Sequence, residues 1–307
     1  MGEDWVIGVD LGATKISCAL VSPQNELAAR AGMETRAIDG PEAVTERIAA
    51  AVRELRAQAP GGARIERVGV CSPGPLDHTT GMLYDPPNLT GWRNVPFAAL
   101  LGKAVGLPVL LEHDAKATAL AEFHLGAGRG ARSMALIIAG TGVGAAIIVN
   151  GKLYRGPHDS AGEVGHITVD LNGPICTCGS NGCVEAYAGG PAIMRAYTYA
   201  TRHAVSSAGE VAQAAKDGDL IAQRVFQEAG RALGAAIATL AMLMDVDTFV
   251  LFGGVAKAGE LLMAPTRAAV PRYSYQSVSR RVQLKGCELG DDAGVMGAAL
   301  VARRINA

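Results

Sequence analysis

The chain has 307 residues, of which 49% are hydrophobic and 19% charged, and its formal net charge is −1. This apolar fraction supports a sizeable core and excludes a mainly disordered chain. A near-neutral chain lacks the overall positive field that favours nucleic acid or anionic membranes, so we expect small-molecule ligands and neither of those partners. The length predicts two domains or, alternatively, one large one.

No segment is predicted to enter a membrane. The helical candidate Ala232–Met244 has thirteen residues, fewer than the roughly 20 that a bilayer requires. The N-terminal sequence MGEDWVIG carries two acidic residues and lacks the basic start and apolar core of a signal peptide. We therefore expect a cytoplasmic protein.

The first half of the chain alternates strands and helices, which predicts an α/β fold. Its predicted elements are two strands in Trp5–Val21, an amphipathic helix in Pro41–Gln58, strands at Val68–Cys71 and Val109–Glu112, and a helix in Asp114–Leu125. The segment 72–96 is rich in turn residues.

The second half restarts the same pattern, so we interpret the chain as two related α/β lobes with a cleft between them. Its predicted elements are a strand–turn–strand in Met134–Val149, a helix in Asp219–Met244, a strand in Thr248–Phe252, a helix after Gly253-Gly254, a strand in Arg281–Leu289 and a helix in Gly294–Arg303. The small lobe is predicted to comprise residues 1–114 and 293–307, and the large lobe residues 115–292.

A glycine-containing turn joins the first two strands. In Asp10-Leu-Gly12-Ala-Thr14-Lys15 the glycine exposes backbone N–H groups, the threonine adds a hydroxyl and the lysine adds a charge, which together suit a phosphate. Asp10 could hold Mg²⁺ through water. The alternative is a plain hairpin turn with a solvated lysine.

Gly140-Thr141-Gly142 begins a sequence that formally fits the dinucleotide fingerprint, but that fingerprint must open a helix. Strand-forming residues, Ala146–Val149, follow here, so a second phosphate-binding turn is the consistent interpretation. Gly253-Gly254 could be a platform for the nucleotide base or ribose; alternatively, it serves tight strand-to-helix packing.

Three of the six cysteines crowd into one short loop. Cys176, Cys178 and Cys183, with His166 upstream, form the Cys₃His set of a closed, structural Zn²⁺ site. The alternative is three reduced thiols in a flexible loop. Glu163 and Glu185 flank the cluster and would suit sugar hydroxyls, or they are solvated surface residues.

Asp114 stands where a predicted strand ends and a helix begins. It could cap the helix, or it could take the proton of a substrate hydroxyl that attacks a phosphorus atom. The two roles do not exclude each other.

Together these residues resemble the ROK family of sugar kinases, which has the actin-like (ribonuclease H-like) two-lobed fold. The resemblance covers essentially the whole chain. The motifs that carry it are Asp10-x-Gly12-x-Thr14-Lys15, Gly140-Thr141-Gly142, Glu163-x-Gly165-His166, Cys176-x-Cys178-Gly179-x-x-Gly182-Cys183-x-Glu185, Gly74-Pro75 and Pro87-Asn88-Leu89.

The resemblance implies ATP- and Mg²⁺-dependent phosphoryl transfer to a hexose hydroxyl, usually O6 of glucose, and a homodimer formed through the second lobe. It assigns Asp114 as the base. It also implies that the phosphates of ATP are bound by Asp10, Gly12, Thr14, Lys15, Gly140, Thr141, Gly142, Gly253 and Gly254. It implies that the sugar is bound by Gly74, Asn88, His113, Asp114, Glu163, His166 and Glu185. The alternatives are a kinase for an N-acetylhexosamine, such as N-acetylmannosamine, or another sugar-like polyol, and a non-catalytic sugar sensor.

The sequence departs from the family at the predicted base. The family's glucokinases usually carry Asn-Asp-Ala-Asn where this chain has His113-Asp114-Ala115-Lys116. In those glucokinases the first asparagine hydrogen-bonds the sugar, so His113 affects which sugar is expected. The predicted base, Asp114, is the same in both. Lys116 is expected to be a solvated helix residue, or alternatively to add positive charge near the transferred phosphate.

Overall fold

The computed structural model describes residues 4–304 and divides into two compact units. The first unit runs to Glu122 and resumes at Leu289, and the second is Phe123–Glu288. The observed divisions therefore fall after Glu122 and before Leu289, whereas the predicted ones fell after residue 114 and before residue 293. Within the described residues, no helix is both long and apolar enough to cross a membrane.

The first unit contains a five-stranded sheet with the order β3-β2-β1-β4-β7. β1, β2 and β3 are antiparallel neighbours, and β4 and β7 add to β1 in parallel. Its elements are β1 (Trp5–Leu11), β2 (Lys15–Val21), β3 (Leu27–Glu34), α1 (Pro41–Ala57), β4 (Ile65–Ser72), β5 (Leu76–Asp77), β6 (Met82–Leu83), α2 (Phe97–Val105), β7 (Val109–His113) and α3 (Asp114–Leu125), with the C-terminal helix α10 (Ala293–Ala302).

The second unit contains a five-stranded sheet with the order β10-β9-β8-β11-β12. Its elements are β8 (Met134–Ala139), β9 (Val143–Val149), β10 (Lys152–Tyr154), α4 (Glu185–Ala188), α5 (Gly190–Thr201), α6 (Ala208–Lys216), α7 (Leu220–Met244), β11 (Thr248–Phe252), α8 (Glu260–Tyr273), α9 (Gln276–Ser279) and β12 (Gln283–Gly286).

The two sheets have the same order and the same strand directions. In the second unit β8, β9 and β10 are antiparallel neighbours, and β11 and β12 add to β8 in parallel. The repeated pattern predicted from the sequence is therefore present in the strand topology, and the predicted α/β class is confirmed.

Small residues allow helix α10 to lie directly on the first sheet. A Cβ atom at Gly8 of β1 would overlap the carbonyl oxygen of Val295, and one at Gly69 of β4 would overlap that of Ala298. Glycine is the residue that permits such a close approach of two backbones. The other side of this sheet packs α1 and α2 against buried Val, Leu and Ile side chains.

Several boundaries differ from the predicted ones for local reasons. The long helix begins at Leu220, because the side chain of Asp219 accepts hydrogen bonds from the amides of Ile221 and Ala222 and caps it. The last strand is shorter than predicted and spans Gln283–Gly286. The edge strand β3 was not predicted, because its sequence LAARAGME lacks the β-branched residues that mark strands.

Candidate functional site

In the first unit, three neighbouring parallel strands end with chemically useful side chains. Asp10 lies beside Cys71, and Ser72 lies beside His113, so the ends of β1, β4 and β7 are adjacent. Open α/β sheets bind ligands outside the carboxyl ends of their strands. Asp10, which precedes the first predicted phosphate turn, and His113, which precedes the predicted base, therefore lie at the same edge of the first sheet.

Asp114 is the first residue of α3 and makes two contacts through one oxygen. Its Oδ1 accepts a 2.6 Å hydrogen bond from the amide of Ala115 and lies 3.0 Å from Nδ1 of His113. The Asp114 side chain is 43% exposed. The carboxylate is thus held at the start of the helix and is still accessible to a ligand. It can therefore both accept a hydrogen bond from the helix and take up a proton.

The carboxylate of Asp114 changes the titration of His113. Burial alone would lower the pKa of His113, but the hydrogen bond and the charge of Asp114 outweigh it and raise that pKa. Since an ionised carboxylate only accepts hydrogen bonds, the contact with Asp114 is a hydrogen bond when Nδ1 carries a proton. When Nδ1 is unprotonated, it can instead accept a hydrogen bond from the amide of Ala115 at 3.3 Å.

The other edge of the His113 ring lies against Gly74, where a Cβ atom would stand 2.9 Å from Cδ2 and 3.1 Å from Nε2. Asn88, the other residue assigned to the sugar-side loop, is exposed after β6. Lys116 is buried with 6% relative exposure, so the expectation that it is a solvated helix residue is wrong.

The first predicted phosphate turn is a tight connection from β1 to β2. The amide of Gly12 donates to the carbonyl of Lys15 at 3.0 Å, and the hydroxyl of Thr35 donates to the carbonyl of Gly12 at 2.6 Å. The side chains of Thr14 and Lys15 are exposed. These two hydrogen bonds fix the backbone of the turn, while the Thr14 hydroxyl and the Lys15 ammonium group are exposed to solvent.

Asp10 sits below this turn in a partly buried position. Burial raises its pKa, and the charge of Asp114 raises it further, while a hydrogen bond from the thiol of Cys71 (3.3 Å) and the charge of Lys15 oppose the shift. Its Oδ2 lies so close to Gly294 that a Cβ there would approach it to 2.5 Å.

In the second unit, Gly140–Gly142 forms the tight turn from β8 to β9, which we call the phosphate turn. The amide of Gly140 donates to the carbonyl of Gly142 at 2.9 Å, and the amide of Gly190 donates to the carbonyl of Gly140 at 2.7 Å. Gly253 packs its backbone on Ala139 with a φ of +107°, a conformation that favours glycine. The structure therefore brings Gly253-Gly254 beside the phosphate turn.

The predicted metal ligands converge. One ligand atom from each of His166, Cys176, Cys178 and Cys183 lies within 4.8 Å of every other. The sulfurs of Cys178 and Cys183 are 3.7 Å apart, and Nδ1 of His166 is 3.7 Å from the sulfur of Cys176. A tetrahedron with Zn–S bonds of about 2.3 Å has edges of about 3.8 Å, so these side chains fit a tetrahedral ion.

The environment favours the thiolate form at Cys178 but not at Cys183, whose pKa is raised to about 12 by burial and by its hydrogen bonds with Cys178 and Cys176. A hydrogen bond from the backbone of Ser180, followed by one from the side chain of Cys176, lowers the pKa of Cys178 to about 6. Because a metal binds the thiolate form of cysteine, a thiol that ionises below neutral pH is prepared for coordination.

The two predicted sugar-binding glutamates have different surroundings. Glu163 is exposed and precedes the short helical turn Val164–His166. Glu185 instead accepts a 2.9 Å hydrogen bond from the amide of Val143 and a 3.3 Å hydrogen bond from the hydroxyl of Thr177. It is therefore bonded to the strand that follows the phosphate turn.

Sequence reasoning missed two residues, Thr177 in the second unit and Cys71 in the first. The only sequence feature that points to Thr177 is its position between two predicted cysteine ligands. Cys71 lies in an apolar strand, where a cysteine is typical of the core. The thiol of Cys71 is fully buried and bonded to Asp10. Only the strand register, in which Asp10 faces Cys71, reveals that contact.

The chain belongs to the ROK family, because the sequence model of that family matches residues 6–305. The resemblance inferred from the motifs is thereby confirmed. A glucokinase of Halalkalibacterium halodurans is 34% identical over 99% of this chain and 96% of its own length. An N-acetylmannosamine kinase of Escherichia coli O157:H7 is 32% identical over 97% of this chain and 98% of its own length.

A solved structure extends the likeness to the fold. The ROK family glucokinase from Streptomyces griseus, crystallised with glucose and AMPPNP, has a TM-score of 0.77 and 35% identity, over 98% of this chain and 99% of that one. The similarity thus spans both units of the chain.

Proposed function

We propose that this protein is an ATP-dependent hexose kinase that transfers the γ-phosphoryl group of ATP to a sugar hydroxyl, with O6 of glucose as the preferred acceptor. The observation that carries the proposal is the reachable carboxylate of Asp114 at the ends of β1, β4 and β7. The similar glucokinases, one of them crystallised with glucose and an ATP analogue, support it.

In the proposed reaction, Asp114 takes the proton of the sugar hydroxyl while the oxygen of that hydroxyl bonds to the γ-phosphorus of ATP. The bond from that phosphorus to the β,γ-bridging oxygen breaks, and ADP leaves with the bond's electron pair. The hydrogen bond from Ala115 and the contact with His113 orient the carboxylate for this step. Donors of the two glycine turns would stabilise the charge on the phosphates.

Two metal ions belong to the proposal. Asp10, whose Oδ1 meets a weak thiol donor, would hold Mg²⁺ through water, and this ion would neutralise charge on the transferred phosphate. His166, Cys176, Cys178 and Cys183 would hold a structural Zn²⁺, which fits their spacing. With Nδ1 of His166 among the ligand atoms, Nε2 would be left for a sugar hydroxyl.

The remaining sugar ligands in this proposal are Gly74, Asn88, His113, Glu163 and Glu185, as the family resemblance implies. The second candidate substrate is N-acetylmannosamine, because a kinase for it is similar over nearly the whole chain. His113 in place of the family's usual asparagine is the position that we expect to influence this choice.

We further propose that the protein is a cytoplasmic homodimer. Large apolar side chains of the second unit, Ile175, Tyr199 and Leu220, are largely exposed around a cavity of about 780 Å³. Exposed apolar patches of this kind mark interaction surfaces, and a second copy is the proposed occupant. Leu220→Glu should yield monomers in sedimentation analysis, whereas Leu243→Glu, equally exposed elsewhere on α7, should not.

A sugar-panel assay tests the proposed function. ADP release is measured with ATP, Mg²⁺ and glucose, N-acetylmannosamine, N-acetylglucosamine, mannose or fructose in turn. We expect sugar-dependent ADP formation that is greatest with glucose. Greater turnover of N-acetylmannosamine would select the second candidate, and no turnover with any sugar by folded protein would reject the kinase.

A further inference from the structure

Glu185 connects two parts of the second unit that have different proposed tasks. Its Oε2 accepts the amide hydrogen of Val143, the first residue of β9, at 2.9 Å. Its Oε1 accepts the hydroxyl hydrogen of Thr177 at 3.3 Å. One carboxylate therefore joins the strand after the phosphate turn to the loop that carries the metal ligands.

The phosphate turn is shaped around this carboxylate. A Cβ atom at Gly142 would stand 2.6 Å from Oε2 of Glu185, whereas a Cβ at Gly144 would meet nothing within 4 Å. At the other end of the turn, Gly140 accepts a hydrogen bond from the amide of Gly190. Gly140 at the start of the turn and Val143 directly after it are thus both bonded to the segment that follows the last cysteine.

The same carboxylate is tied to the metal ligands along the chain. Thr177 lies between Cys176 and Cys178, and Glu185 is the second residue after Cys183. A tetrahedral ion would fix these three sulfurs at the spacing that the structure shows. Fixing them also fixes the Thr177 hydroxyl and the start of α4 relative to each other.

The charge of Glu185 gives this connection a consequence for an anionic ligand. While the carboxylate is held by Val143 and Thr177, its charge is partly satisfied by two donors. Without the Thr177 donor it can rotate at the edge of the turn, where a phosphate would be repelled by it. The turn would also lose the acceptor that holds its following strand.

We infer that Glu185, in addition to its proposed contact with the sugar, links the metal loop, residues 166–185, to the phosphate turn, so that an intact, metal-loaded loop strengthens nucleotide binding. This inference rests on the proposed function, because it assigns the turn to the phosphates of the nucleotide. It adds a control of nucleotide affinity to a metal site that is otherwise only structural.

Thr177→Val tests the link while leaving every metal ligand in place. The matched control is Thr168→Val in the same loop, where the hydroxyl donates to the carbonyl of Asn181 at 3.1 Å. AMPPNP binding is measured by calorimetry with Mg²⁺ and without sugar, beside zinc content and hydrogen exchange at the Val143 amide.

We expect Thr177→Val to raise the Kd for AMPPNP roughly three- to tenfold, as for the loss of one typical intramolecular hydrogen bond. Zinc content should stay unchanged, exchange at Val143 should accelerate, and Thr168→Val should behave as wild type. Equal Kd values and equal Val143 exchange in the two variants would overturn the inference.

Removing the metal by chelation gives a second arm. If the metal-free protein stays folded, its Kd should rise and its Val143 exchange should accelerate; an unchanged Kd and exchange would contradict the link. If it unfolds, the Thr177→Val result decides. Wild-type protein that binds no AMPPNP would instead contradict the proposed function, and Val143 exchange in the valine variants would still test the link.

Discussion

Nδ1 of His113 lies 3.0 Å from Oδ1 of Asp114, and the side chains are 38% and 43% exposed. A histidine therefore stands directly against the carboxylate to which we assign the proton transfer. If Asp114 is the base, as we propose, we expect the activity to depend on the protonation of both side chains.

Asp114→Asn should retain sugar binding and lose most of the turnover. Asparagine preserves the size of the side chain and can accept the Ala115 hydrogen bond, but it cannot take up the substrate proton. Loss of a general base costs about 10²- to 10⁴-fold in kcat. Steady-state kinetics and sugar-binding calorimetry measure the two effects separately.

The control is Asp219→Asn, which changes an aspartate at the start of another helix, α7. Asparagine is a good helix cap, so this variant should keep wild-type kcat. Normal turnover by Asp114→Asn would reduce Asp114 to a helix-capping role.

His113→Asn should move the acid limb of the pH–rate profile. Because Asp114 raises the pKa of His113, the imidazolium persists to higher pH than in an unfolded chain. The charged imidazolium pairs with the Asp114 carboxylate and thereby hinders this carboxylate from accepting the proton of the substrate hydroxyl. Glu112 also raises this pKa, whereas Lys116 opposes it. We expect wild-type kcat/KM to fall as the pH drops through the His113 pKa, and the fall to occur at lower pH in the variant.

The same pair has a stability signature of fixed sign. A histidine with a raised folded-state pKa adds stability that is fully present below its unfolded pKa, about 6.5, and lost as the pH rises through the folded value. Urea unfolding should therefore show a larger difference between wild type and His113→Asn at acid than at alkaline pH. The exposed His203→Asn serves as control, and identical profiles for all three proteins would contradict the pairing.

The protein should contain about one Zn²⁺ per chain, bound in a closed Cys₃His site. Cys178→Ser should lose the ion and lower the midpoint of thermal unfolding, because one ligand of four is removed. Cys287→Ser, which changes a cysteine outside the cluster, should retain the ion. Elemental analysis of protein purified without chelator is the measurement, and metal-free wild-type protein would refute the site.

Gly142→Ala should weaken ATP use through a steric effect on Glu185. The new methyl group would stand 2.6 Å from Oε2 of that residue, whereas Gly144→Ala introduces a methyl group that meets nothing within 4 Å. We expect the KM for ATP to rise roughly fivefold in the first variant, equivalent to about 1 kcal/mol, and not in the second. An equal KM in both variants would show that the Glu185 contact is unimportant for the turn.

Periodic and turn-forming segments of the fold were predictable, whereas elements that depend on tertiary packing were not. The strand–turn–strand at Met134–Val149 appears as β8 and β9, because its β-branched residues flank glycine. α2 was missed, since Phe97 follows a turn-rich segment and Gly102 interrupts the helical pattern. Its helical form instead accompanies packing on α1 and β7.

Within the site, the local motifs were predictable and the contacts formed across the fold were not. The Cys₃His cluster was evident because its three cysteines lie in one loop. The hydrogen bond from Val143 to Glu185 joins residues 42 positions apart, so no sequence spacing indicates it. Lys116 is buried, which the polar, charged character of its side chain does not indicate in the sequence.

The most direct test is identification of the product made from glucose and ATP by the zinc-loaded wild-type protein with Mg²⁺. Phosphorus NMR and mass spectrometry should find glucose 6-phosphate and ADP in equal amounts, with negligible product from Asp114→Asn at the same protein concentration. Absence of any phosphorylated sugar with the folded wild-type protein, or equal product from the variant, would contradict a glucokinase that uses Asp114 as its base.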